Sequence, residues 1–257
     1  MDMKGNLTPN NIMRYSITDL HTHILPAFDD GAPSVDTAVQ MLNALKTGGV
    51  DRVALTPHFY PQYEALDSFL LRRQNSFDAL LNAIQVEKMP QLCLGAEVRY
   101  TPELAQMDLH QLTFGKGNYL LLELPDNGVA PLLDQVLNSI FDQGIIPVFA
   151  HIERCGTFRN QPGQLYNYVQ MGALAQVSLK ALTGKVDSFA LICVKKGLAH
   201  IISSDAHKIS DCVDFLSIKN VADVIPWTEA FAEAIWNNTP LPAFSVMPVK
   251  KGLFGYR

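Results

Sequence analysis

Seven short apolar runs, separated by longer segments of helical period, constrain this chain more than any other feature. The runs are SITDLHTH (16–23), RVALTPH (52–58), QLCLGAEV (91–98), YLLLEL (119–124), IIPVFAH (145–151), ALAQVSL (173–179) and LAHIISSDAH (198–207). Helical segments lie between them at 34–49, 63–88, 130–144, 163–172 and 188–197, the first with Ser34 placed to cap its start and Gly48 to stop it. Strands alternating with helices long enough to cross back over a sheet require parallel pairing through right-handed crossovers. The result is either an open doubly wound α/β sheet or a closed barrel, and seven repeats within 257 residues favour the barrel.

With 48% hydrophobic and 18% charged residues, the chain can bury one substantial core. The expected organisation is a loose N-terminal arm over residues 1–15 and a single domain over 16–257. No apolar run approaches the ~20 residues of a membrane span, and the opening MDMKGNLTPNNIMRYS lacks the apolar stretch of a secretion signal. A soluble, cytoplasmic protein is expected, without membrane insertion. A net charge of −5 gives no general attraction to nucleic acid or anionic lipid. Cys93, Cys155, Cys193 and Cys212 form no CxxC pair, which argues against a zinc knuckle or a disulfide framework.

Polar residues gather where the apolar runs end. His21 and His23 close the first, His58 the second, Glu97 the third and Glu123 the fourth; His151 closes the fifth, and Asp205 with His207 the last. On an extended segment, residues two apart share a face, so His21 and His23 stand roughly 6–7 Å apart at the backbone while Thr22 points away. An isolated HxH is equally consistent with buried neutral imidazoles or surface groups. The whole set is not, because charged groups converging on a barrel mouth are strongly desolvated unless paired or bound to cations. With one acid of the DDG loop (29–31), the set holds five imidazoles and four carboxylates, more than the three protein ligands of one catalytic zinc. Two or three divalent ions are implied; mixed nitrogen and oxygen ligands suit manganese, iron or zinc.

Other features have plainer readings. The segment CLGAEVR (93–99) matches the Cys-x5-Arg pattern of thiol phosphatases, but Cys93 sits mid-strand and Glu97 would place negative charge in the phosphate cradle. His110 and His200 fall outside the constellation and take surface or core roles. Trp227, Phe231 and Trp236 read as packing, and the tail VMPVKKGLFGYR (246–257) as a frayed end, with docking to a partner subunit of a homo-oligomer as the alternative.

The ordered motifs DLHTHILPAFDDG, TPHF, GAEV, LLELP, HIER and SSDAH, spread over residues 17–210, resemble those of the PHP (polymerase and histidinol phosphatase) metallophosphoesterases, specifically the bacterial CpsB/YwqE-type protein-tyrosine phosphatases. The resemblance implies a distorted seven-stranded (β/α)7 TIM-like barrel with a trinuclear site, most commonly of manganese. It maps metal ligation onto His21, His23, Asp30, His58, Glu97, Glu123, His151, Asp205 and His207, and a phosphate-holding role onto Arg154. Asp205 and His207 then join Arg154 as catalytic residues. The branch usually has HCH where this chain has His21-Thr22-His23, and HPER where it has HIER; neither change removes a ligand. Where relatives often carry an arginine after the last DxH, this chain offers Lys208 as a substrate-binding cation. The implied reaction is hydrolysis of phosphotyrosine by in-line attack of a hydroxide bridging two cations, with Arg154 offering a planar fork to the phosphate. The implied substrate is the tail of a bacterial tyrosine autokinase that regulates capsular or exopolysaccharide synthesis. The competing activities are histidinol-phosphate hydrolysis and nucleotide phosphodiester cleavage on the same site, and a non-enzymatic structural use of the ions is a third reading.

Overall fold

The first apolar run is strand β1 (Ile17–Asp19), which pairs in parallel with β2 (Val50–Leu55), and β2 in turn with β4 (Gln91–Leu94). The computed structural model describes residues 16–85, 88–126, 130–212, 215, 223–252 and 255–256. The expected N-terminal arm over 1–15 lies outside the described residues. Past β2 the proline of Thr56-Pro57 lacks an N–H for the ladder, and the line resumes as β3 (His58–Phe59), which pairs with β5 (Glu97–Arg99). From β5 the parallel order continues through β6 (Tyr119–Glu123), β7 (Ile146–Phe149), β8 (Leu174–Ser178) and β9 (Ile201–Ser203).

The sheet is curled. An isolated parallel bridge between Thr22 and Ala206, with His23 N–H donating to Ala206 O at 2.9 Å, ties the ends of the first and last lines together. The described residues give nine parallel strand segments rather than seven uninterrupted strands, because two of the expected strands break, at Pro57 and at Gly95-Ala96. The expected strand 198–207 shrinks to Ile201–Ser203, and the helix expected over 63–88 runs only from Leu66 to Leu81.

Crossover helices cover the outside. α1 (Val35–Thr47) starts as expected at Ser34, whose Oγ accepts from Thr37 N–H at 3.2 Å, and stops at Gly48. α2 is the shortened helix Leu66–Leu81; α3 (Leu133–Asp142), α4 (Gly156–Asn160), α5 (Pro162–Gln170), α6 (Leu179–Leu182) and α7 (Ser188–Lys195) follow. The strands split their apolar residues between two cores. Leu120, Leu122, Ala175 and Val177 face the helices, whereas Leu121, Val148, Leu174 and Ile201 fill the inside. There they meet Phe231, Ala232 and Ile235 of α8 (Ile225–Asn237), which closes the end of the sheet opposite the polar residues. Phe231 thus packs as expected, with Trp227 against it at 4.8 Å between ring centroids.

The frayed tail is corrected. Met247 N–H donates to Lys196 O at 2.9 Å, Val249 is buried, and the short hairpin of β10 (Lys251–Gly252) and β11 (Gly255–Tyr256) lays the Tyr256 ring on Phe189 with its hydroxyl donating to Arg159 O. Val246, Val249 and Tyr256 pack this end against the main core.

Candidate metal centre

The strand ends deliver the polar set to one place. Past β1 the chain stays extended, and His21 and His23 share a face while Thr22 turns away to donate to Ala54 O at 2.8 Å. The two imidazole Nε2 atoms come within 3.2 Å of each other. His58 opens β3, Glu97 opens β5, Glu123 closes β6, His151 follows β7, and Asp205 and His207 follow β9. His151 (φ 26°) and Asp205 (φ 54°) are both held in the left-handed region, a conformation costing about 1–3 kcal/mol each that folds tolerate chiefly at functional sites.

Glu97 is the hub. Its fully buried Oε2 lies 3.2 Å from His21 Nε2, 3.3 Å from His23 Nε2 and 3.0 Å from His58 Nδ1, and its Oε1 lies 2.8 Å from His151 Nε2. Asp205 Oδ1 stands 3.3 Å from His21 Nε2 and 3.5 Å from His23 Nε2; Glu123 Oε1 stands 3.8 Å from His151 Nε2. Three sets of donor atoms each lie within 4.8 Å of one another: His21, His23 and Glu97; His58, Glu97 and Glu123; and His23, Asp30, His58 and His207. Glu97 Oε2, Asp205 Oδ1, Glu123 Oε2 and His58 Nδ1 are buried without an aligned hydrogen-bond partner. Lone pairs that converge at these distances without pairing fit divalent cations, which would satisfy all four atoms.

The charges are held by each other. Burial favours a neutral Glu97, but the imidazoles of His21, His151 and His23 outweigh it and keep the carboxyl well below its ordinary range. Burial also disfavours charge on His23, yet the adjacent carboxylates of Asp205, Asp29 and Glu97 carry its pKa well above normal; His21 rises likewise through Glu97 and Asp205. Nearer solvent, burial and the neighbouring His23 lower His207.

Asp30 is the most open of the nine, 70% exposed, with Oδ1 3.4 Å from His207 Nε2 and 3.6 Å from His58 Nε2. Its neighbour Asp29 takes a different part: its carboxylate accepts from His23 Nδ1 at 2.8 Å, from His58 N–H at 3.0 Å and from Gly31 N–H at 3.0 Å, and despite burial these bonds push it down to about 2. Arg154 Nη2 donates to Asp205 Oδ2 at 2.5 Å. Lys208 lines a cavity of about 420 Å³ beside the cluster, together with Arg154, Asp30 and His207. Glu153 turns inward instead, accepting from Ser178 N–H.

Sequence reasoning passed over three residues. Gln176 on β8 lies beneath the cluster, its Oε1 accepting from His151 N–H at 2.6 Å and from His21 Nδ1 at 3.3 Å, which leaves the His21 Nε2 lone pair facing the donors. A lone amide in the apolar run ALAQVSL was the available signal. Asp19 Oδ1 accepts from His21 N–H and Ser204 N–H, joining the first and last strand ends; burial raises its carboxyl to about 6. Arg99 pairs with Glu123 Oε1 at 2.7 Å, so the arginine of CLGAEVR orients a carboxylate rather than cradling phosphate. Cys93 is carried on β4, and burial pushes its thiol up to about 12. His110 is exposed beside Asp108, whereas His200 is buried against Trp227, Phe231 and Phe244 and lowered to about 3, a core histidine.

The sequence pattern of the family described as "Capsular polysaccharide synthesis, CpsB/CapC" matches residues 17–220. The chain is 32% identical over 199 residues to the tyrosine-protein phosphatase YwqE of Bacillus subtilis, covering 74% of this chain and 77% of that protein. It is 25% identical over 208 residues to the tyrosine-protein phosphatase CpsB of Streptococcus pneumoniae, covering 74% and 83%. Its fold overlays a chain from the crystal structures of YwqE and CpsB, described as unique metal-dependent tyrosine phosphatases, with a TM-score of 0.78 and 26% identity over 91% of this chain and 100% of the other. On a match spanning most of its length and an overlay of nearly all of it, the chain belongs to the CpsB/CapC family, whose fold is of the PHP type.

Proposed function

We propose that this chain is a metal-dependent protein-tyrosine phosphatase. The observation that carries the reading is the convergence of His21, His23, His58, Glu97, Glu123, His151 and Asp205 in one buried cluster with four unpaired donor atoms, with Asp30 and His207 on its solvent side. These nine residues would hold two or three divalent ions, manganese first, with iron or zinc as the alternatives. Bound there, the ions would supply Lewis acidity and a water ionised near neutral pH. Relatives named as tyrosine-protein phosphatases support phosphotyrosine over histidinol phosphate or a phosphodiester as substrate.

The chain's own groups account for the rest. Asp205 holds one arm of the Arg154 fork, aiming the remaining guanidinium donors into the adjoining cavity to take phosphate oxygens. Gln176 and Asp29 fix the tautomers of His21 and His23. His207 Nδ1 lies 3.0 Å from Asp205 O, which leaves Nε2 toward the mouth. A phenol of pKa ~10 leaves with little need of a proton donor, and His207 at the mouth would supply a proton where one is needed. Lys208 is a second cation for substrate. We further read the domain as one unit over 16–257, cytoplasmic, with the two interrupted strand pairs counting as one strand each of a closed seven-stranded barrel. Its substrate is a tyrosine autokinase controlling polysaccharide export.

The test compares a phosphotyrosine peptide, histidinol phosphate and a dinucleotide, with added manganese and with chelator, alongside metal analysis of the purified protein. Hydrolysis of the peptide that chelator abolishes and manganese restores, and that Glu97→Gln removes, is the expected result. Preference for either other substrate, or a protein that takes up no divalent ion, overturns it.

A further inference from the structure

We propose that the cavity beside the cluster is a second anion subsite, in which Lys180 and Lys208 take a negatively charged group carried next to the phosphotyrosine of the substrate. The proposal rests on the phosphatase reading above and adds a specificity determinant to it. The cavity measures about 420 Å³ and opens directly on Asp205 and His207. That is roughly a dozen water volumes, several times what one phosphoryl group fills. Three cations line it from different parts of the chain: Arg154 after β7, Lys180 in α6 directly after β8, and Lys208 directly after His207.

Its carboxylates are already engaged. Asp205 holds Arg154, Asp211 Oδ2 accepts from His207 N–H at 3.2 Å, and Asp30 faces the His58 and His207 rings. Elsewhere lysines find partners, Lys46 on Asp51 at 2.7 Å and Lys251 on Asn160 at 2.8 Å. Among the described residues, neither the Lys180 nor the Lys208 ammonium has an ion-pair partner, though both border the same cavity. The lining also carries Asp30, Asp205 and Asp211, but among the described residues none of them pairs with either lysine, and ammonium groups gathered at one concave site raise the local concentration of anions beside them. With Arg154 engaged on the scissile phosphate, the two lysines remain for another anion, either an acidic side chain or a second phosphoryl group.

Three phosphotyrosine peptides identical except at their flanks separate the cases: one neutral, one with glutamates beside the phosphotyrosine, one with a second phosphorylated residue there. We expect kcat/KM about fivefold higher for at least one anionic peptide than for the neutral one, the difference residing in KM, as for an exposed ion pair of about 1 kcal/mol. A gain with glutamate assigns carboxylates to the subsite, and a gain with the phosphorylated peptide alone assigns a second phosphoryl. The preference should collapse in Lys180→Gln, reverse in Lys180→Glu and survive in Lys180→Arg, with thermal melts confirming that each variant folds. Equal kcat/KM for all three peptides in the wild type, or an unaltered preference in Lys180→Glu, overturns the subsite while neutral-peptide turnover still upholds the phosphatase reading. Absence of any phosphotyrosine hydrolysis would bring down both.

Discussion

Gly31 gives the sharpest structural test of the centre. A Cβ built on it would lie 1.9 Å from His23 O and 2.5 Å from His23 Cβ, so Gly31→Ala cannot be accommodated without moving one segment by about an ångström. Both neighbours are committed. His23 O accepts from Ala32 N–H at 2.9 Å, and the loop that would have to swing away carries Asp29, whose carboxylate orients His23 at 2.8 Å and receives His58 N–H at 3.0 Å. A shift of that size breaks both hydrogen bonds to Asp29 and turns the His23 ring off the line to Glu97 and Asp205. Losing an orienting partner of this kind lowers metal affinity about 10- to 100-fold, and overpacking costs a further 1–3 kcal/mol or so of stability. The assay is metal content per chain after dialysis against a graded chelator series, beside a circular dichroism melt to confirm folding. Asp29→Asn, which keeps the loop but weakens the bond, should fall between wild type and Gly31→Ala. A folded Gly31→Ala protein that retains its metal at the same chelator concentration as wild type would refute the view that this loop positions the centre.

Three further outcomes are expected. Gln176→Leu, which leaves His151 N–H and His21 Nδ1 without their acceptor, should weaken metal retention about 10-fold or more in chelator competition; an unchanged curve removes Gln176 from the positioning set. Cys93→Ser should keep phosphatase activity within about twofold, since a thiol raised to about 12 is not a thiolate at neutral pH; loss of activity would restore a thiol mechanism. Burial raises Glu229 from its ordinary 4.5 to about 8, so its favourable contribution to stability is complete below pH 4.5 and is lost as pH rises through 8. Glu229→Gln, able to keep the bond from Thr18 N–H, should therefore add more to the unfolding free energy at pH 8 than at pH 5, by up to about 1.4 kcal/mol per pH unit across that window, read as a larger rise in Tm at pH 8; equal shifts at both would contradict it.

Several features were legible in the sequence because they depend on local period. The alternation along 19–23 put His21 and His23 on one face, and the apolar run 119–124 placed Glu123 at the end of its strand, whereas Glu97 opens β5 after the break at Gly95-Ala96 and Asp205 lies two residues past β9. Ser34 and Gly48 marked α1 for the same reason. What stayed hidden depends on which distant segment each residue meets. Nothing in DDG separates an acid that bonds His23 from one that faces solvent, because the difference arises only when the loop folds back over His58. The Gln176 amide reads as a weak interruption in a strand until β8 lies beside β7 and beneath His21. The tail, basic and apolar, gave no sign of its partners, since Lys196, Phe189 and Arg159 are more than forty residues away in sequence.

The least legible feature is also the one that ties fold to site. Buried carboxylates, imidazoles crowded to 3.2 Å and two non-glycine residues in left-handed backbone all oppose folding when taken singly. They are tolerated because the rest of the curled sheet is packed on both faces: Leu121, Val148, Leu174 and Ile201 cluster with Phe231 and Ile235 on the inside, and Leu120, Leu122, Ala175 and Val177 pack under the helices. The two ends of the sheet therefore do opposite work, the end under α8 contributing stability and the end that carries the cluster withholding it. This division places the ligand candidates toward the ends of the apolar runs, while Asp19 and Gln176, inside theirs, support those residues. Leu121 belongs to the apolar cluster of Phe231 and Ile235, whereas two residues further along the same face Glu123 meets His151 and Arg99.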